Sequence, residues 1–109
     1  MDQRYSEFTV EQLREEIGQL QEKAQKAAQM GNVSEYAVYE RKIQVAYSYT
    51  LNPEDFKSGE TYEIDGDPGY LFKITYINGV FAWGHRINLV GQQHEKEEAL
   101  PISVFGKKL

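Results

Sequence analysis

Two histidines, two aspartates in a glycine turn and a scatter of hydroxyls are the side chains that chemistry would most readily use in this chain of 109 residues. His85 lies in a run of alternating apolar residues, and His94 in a polar stretch after it. A catalytic or metal-binding histidine needs partners at matching spacing, and no further histidine exists; a packed histidine at a sheet edge is the simpler reading. Asp65-Gly66-Asp67 has the look of a calcium loop. It lacks the third ligand and the distal glutamate that such a loop requires, so a plain turn is favoured. Neither a Gly-x-Ser-x-Gly elbow nor a Walker phosphate loop occurs, and Ser58-Gly59 signals only a turn. With no cysteine, disulfides, thiolate zinc sites and thiol nucleophiles are excluded. The expectation is a non-enzyme, with no catalytic residue, no metal and no cofactor.

The composition fits a folded protein. The chain is 40% hydrophobic and 27% charged, with eight Tyr, five Phe and one Trp, more aromatics than disordered chains keep. Twelve Lys and Arg against 17 Asp and Glu give a net charge of −5, which argues against a strong nonspecific nucleic-acid binder. The polar start, Met1 to Phe8, has no apolar signal core behind it, and no apolar run reaches the roughly 20 residues of a membrane helix. A cytoplasmic location, away from the membrane, is expected.

Residues 1–52 read as a helical hairpin. Thr9 and Gln12 form a capping box, with Phe8 and Leu13 as its hydrophobic staple. Leu13, Ile17, Leu20, Ala24 and Ala27 then recur on one helical face, and Gly31 supplies a left-handed stop. Asn32 caps a second helix ending near Tyr49 to Leu51, ahead of Pro53. So short a turn folds the helices back antiparallel. The second helix carries two apolar stripes. Tyr36, Tyr39, Ile43 and Tyr47 form one; Val38, Val45 and Tyr49 form the other, a candidate partner or dimer surface unless the rest of the chain covers it. Lys23, Lys26, Arg41 and Lys42 come level across the hairpin as a candidate basic patch, although Glu22 and Glu40 dilute it and a solvated face is the simpler reading.

From residue 53 to 109 the period becomes that of strands. Asn78-Gly79 between YLFKITYI and VFAWGHRI marks a hairpin, and a type I′ turn there pairs Ile77 with Val80. In that register Tyr70, Phe72, Ile74, Tyr76, Phe81, Trp83 and Ile87 fall on the core face, with His85 opposite Phe72. Trp83 is then core rather than a ligand platform. Ile77, Val80 and Ala82 fall outside, beside Lys73 and Arg86. Four or five short strands in so few residues predict a small SH3-like antiparallel β-barrel, and the fold class is α+β.

The strings RYS, ERKI, LNPED, GETY, NGVFAWG and EEALPISV, spread almost end to end, resemble the YfhH-like family of small uncharacterised bacterial cytosolic proteins. The resemblance implies a helical hairpin joined to an SH3-like barrel and a role in regulating transcription. It brings no catalytic residue and no cofactor. Two functions are carried forward: an interaction module for a protein partner, favoured by the charge, and a regulator contacting DNA or RNA, implied by the resemblance. A small enzyme ranks last.

Overall fold

A computed structural model of the chain describes residues 4–109. It divides into two compact units, one ending at Leu51 and the other starting at Asn52. The first unit is helical. After a 3-10 turn at Tyr5–Glu7, α1 spans Val10–Gln29 and α2 spans Val33–Ser48. Thr9 Oγ1 accepts from the Gln12 backbone N–H at 3.1 Å, and the Gln12 side chain accepts from the Thr9 N–H at 2.9 Å, which completes the capping box. Leu13, Ile17, Leu20, Ala24 and Ala27 are all buried, the single stripe their spacing dictates. Gly31 takes φ +70°, which lets the Asn32 N–H reach the Ala27 carbonyl and the Gly31 N–H the Ala28 carbonyl in a Schellman stop. Asn32 then turns its side-chain oxygen to the Glu35 N–H at 3.1 Å, and α2 begins.

The second unit is an antiparallel sheet of five strands: β1 Thr61–Ile64, β2 Tyr70–Asn78, β3 Phe81–Asn88, β4 Glu98–Pro101 and β5 Phe105–Lys108. Their order is β4-β3-β2-β1-β5, and the sheet stays open rather than closing into the expected barrel. Closure fails because β4 and β5, the two strands that would have to meet, have only four residues each and form opposite edges. A 3-10 turn at Ile102–Val104 carries the chain between them, and the β1–β5 pairing is already irregular between Tyr62 and Ile64. Phe105 gathers the core rings. Its centroid lies 5.2 Å from Tyr62, 5.4 Å from Phe72 and 5.9 Å from Phe56.

The hairpin register differs from expectation, and the difference moves side chains between faces. Asn78 pairs with Phe81, so the turn residues are Gly79 and Val80 rather than Asn78 and Gly79. Gly79, at φ +62°, is the residue in the left-handed region, as a turn with glycine first demands. A bulge at Thr75 shifts the register again, so that Ile74 pairs with Gly84. Of the seven residues expected in the core, Phe72 and Ile74 are buried. Tyr70, Phe81, Trp83 and Ile87 are only half-buried. Tyr76 is 43% exposed, while Val80 and Ala82, expected outside, are buried. A strand's side-chain period of two explains the exchange: moving the turn by one residue inverts which β3 residues face inward.

Candidate functional site

The corrected register assembles an outward face on β2 and β3. Lys73 and His85 are direct cross-strand partners, as are Tyr76 and Trp83. Partners of this kind project to the same side of the sheet, and the flanking Phe72, Ile74, Ala82 and Gly84 are buried on the other. The rings of Tyr76 and Trp83 lie parallel within 3°, with centroids 5.9 Å apart. The result is a stacked aromatic shelf beside a cation and an imidazole. The sequence pairing, which set Phe72 against His85, hid this grouping. The one available signal was Gly79 itself, which suits the first central position of a turn as well as the second.

A recess of about 340 Å³ opens on the same sheet, lined by Ser58, Gly59, Lys73, Ile74, Thr75, His85 and Gln93. Its walls are held by the backbone. The Gly59 N–H donates to the Ile74 carbonyl at 2.8 Å, and the Ser58 hydroxyl to the Thr75 carbonyl at 2.7 Å. His85 Nδ1 lies 2.9 Å from the His94 carbonyl oxygen. A carbonyl only accepts, so Nδ1 carries the hydrogen and Nε2 is the ring nitrogen left for other partners.

The loop after β3 is tied back firmly. The His94 N–H donates to the Arg86 carbonyl at 2.8 Å, and Ile87 bridges to Gln93. Asn88 Oδ1 accepts from the Val90 and Gln92 N–H groups at 3.1 and 2.9 Å. The Arg86 side chain donates to Glu98 at 2.9 Å and to Asp67 from a second nitrogen. Its guanidinium lies 5.7 Å from the centre of the Tyr70 ring, which meets His94 edge-on. Burial works against the Arg86 charge, but the Glu98 and Asp67 carboxylates outweigh it and hold the group protonated still more firmly than usual. Asp67 is therefore engaged as an ion-pair partner within its turn. Among the described residues no three His, Cys, Asp or Glu side chains gather as a metal site.

Of the helical candidates, two lysines share a groove. Lys23 and Lys26 line a groove of about 220 Å³ with Ala27, Met30, Asn32, Glu35 and Tyr39. Arg41 stands two residues beyond Tyr39, about 160° round the helix, and so outside that groove. Lys42 is exposed and does not line it either. On the expected dimer stripe, Val38 is 51% exposed, but Val45 and Tyr49 are half-buried. Tyr49 is partly covered by Tyr5, whose ring lies 6.1 Å away. Burial and the hydrogen bond from its hydroxyl to Glu16, at 2.8 Å, push the Tyr5 phenol up to about 12. A tyrosine ahead of the first helix gave no sequence signal of this covering role. Among the described residues no helix is long and apolar enough to cross a membrane.

Residues 3–106 match the family model described as "Protein of unknown function (DUF1811)". The chain is also 50% identical over 108 residues, covering 99% of both sequences, to the "Uncharacterized protein YfhH" of Bacillus subtilis (strain 168).

Proposed function

We propose that this chain, which belongs to the DUF1811 family of proteins of unknown function, is a non-enzymatic interaction module whose sheet unit docks a protein partner. The observation that carries the reading is the outward shelf of Tyr76 stacked on Trp83, with Tyr76 43% exposed. Tyrosine and tryptophan are the residues most enriched at binding hot spots, because they offer large, stiff contact area with a polar handle. Charge favours a protein over nucleic acid: the net charge is −5. Five antiparallel strands, three of them only four residues long, with a 3-10 turn between the last two support an opened SH3-like description of the unit, a fold that presents aromatic surfaces to peptides.

The test begins with the immobilised full chain and its Tyr76→Ala variant, exposed to nuclease-treated lysate. A captured protein is then purified and rebound to both. The reading expects direct binding that survives nuclease and weakens about thirtyfold in Tyr76→Ala, the size of one hot spot. Equal binding by the two chains, or binding that disappears with nuclease, overturns it.

A further inference from the structure

We infer that the recess between Lys73 and His85 binds a small oxyanion, a carboxylate or a phosphate. This site is separate from the aromatic shelf and needs no protein partner. Its volume of about 340 Å³ lies at the lower end of the range for small-molecule sites. Lys73 is exposed, and its ammonium meets no carboxylate among the described residues. Asp67 and Glu98 are committed to Arg86 and Glu60 to Lys108 at 3.1 Å, and Glu63, exposed on β1 two residues from the Thr61 that pairs with Lys73, makes no ion pair with it. The recess has one lysine and no acidic group in its lining.

The remaining lining groups suit the same ligand. Gln93 brings an amide donor and Thr75 a hydroxyl. The Nδ1 hydrogen bond to the His94 carbonyl fixes the His85 ring and leaves Nε2 to the recess. With Nδ1 carrying the hydrogen, Nε2 accepts from the hydroxyl of a hydrogen phosphate, while a carboxylate is held by Lys73, Thr75 and Gln93. A hydrogen phosphate thus lies between one cationic group, Lys73, and one hydrogen-bonding group, His85. The β2–β3 ladder fixes the backbone beneath both groups and the Nδ1 hydrogen bond holds the ring, so ordering on binding is confined to the lysine side chain. A polyanion does not fit equally well, because the chain's net charge of −5 repels an extended string of phosphates more than a single one.

Nuclear magnetic resonance of the full chain tests this with sodium phosphate and sodium acetate as the probes, each against sodium chloride at the same ionic strength and pH. The expected result is a saturable shift of the His85 ring and Gln93 amide signals with at least one probe. Lys73→Ala, an exposed substitution, should weaken that binding about tenfold, the loss of one charge-assisted hydrogen bond. Saturation by phosphate alone assigns a phosphate ligand; equal saturation by acetate assigns a carboxylate. The same shifts with chloride, no saturation with either probe, or unchanged affinity in Lys73→Ala would each overturn the inference.

Discussion

Replacing Gly84 by alanine tests the β2–β3 register at its tightest point. A Cβ built on Gly84 stands 2.0 Å from the Lys73 carbonyl oxygen and 3.0 Å from both the Lys73 carbonyl carbon and Phe72 Cε1. Phe72 is fully buried, so the ring has little room to move. The strands must separate by roughly 1 Å beside the Thr75 bulge, where Ile74 pairs with Gly84. Overpacking of this kind costs about 1–3 kcal/mol, and each ladder hydrogen bond lost adds about 1 kcal/mol. Alanine's smaller entropy loss returns about 0.5–1 kcal/mol, which leaves a net loss of about 2–4 kcal/mol. In a unit of this size the midpoint should fall by about 10–25 °C. Trp83, the only tryptophan, sits next to Gly84 and reports the sheet by fluorescence. Gly18→Ala is the control with opposite sign. Gly18 lies within α1 with nothing within 4 Å of its would-be Cβ, so alanine there should stabilise the helices by about 0.5–1 kcal/mol, read by circular dichroism. A Gly84→Ala midpoint equal to the wild type would refute the close strand approach, and with it the corrected register.

Alkaline titration gives a second expectation. Burial first, then the hydrogen bond from its hydroxyl to Glu60, pushes the Tyr62 phenol up to about 12. The fold thus favours the neutral phenol: this contribution is complete below the unfolded value of about 10 and is lost as pH rises from about 10 to about 12. Tyrosinate absorbance should show Tyr5 and Tyr62 ionising near pH 12, and Tyr62→Phe should remove the part of that slope belonging to the sheet. Arg86→Leu should cost about 1–2 kcal/mol in urea unfolding, less than a fully buried pair because the side chain keeps 23% of its exposure. It should also quicken amide exchange at His94, whose N–H is held by the Arg86 carbonyl; unchanged exchange would mean that the loop holds without the Asp67 and Glu98 contacts.

Local signals placed the helical hairpin well. A capping box, one apolar stripe and a left-handed glycine act within a turn or two of their own residues, and each was found at Thr9, along Leu13 to Ala27 and at Gly31. The covering of Tyr49 by Tyr5 was not legible, because it joins residues far apart in sequence with no periodic pattern between them. The same limit hid the Arg86 network, in which Asp67 comes from the turn before β2 and Glu98 from the start of β4. Sheet closure failed for a related reason: strand count and spacing suggest a barrel, but whether two edges meet depends on length, and four residues at β4 and β5 were too few.

The hairpin turns on a difference of a single residue. Asn-Gly fits a turn with both residues left-handed, and that register buries an unbroken aromatic row. The opposite register buries Val80, Ala82 and Gly84, a much smaller set. Counting apolar bulk alone prefers the first. Packing density decides otherwise: Phe72 is already fully buried and has its Cε1 3.0 Å from a Cβ built at Gly84, so this part of the sheet has space for glycine and nothing larger. Aromatic residues on the inner face of β3 would have nowhere to go, and Trp83 and Tyr76 are turned outward together. The sheet's tightest internal contact and its most prominent external surface thus have a common cause. A substitution that loosens the first, Gly84→Ala, should disturb the shelf formed by the second, whereas Tyr76→Ala should leave the interior and its melting midpoint within about 0.5 kcal/mol of the wild type.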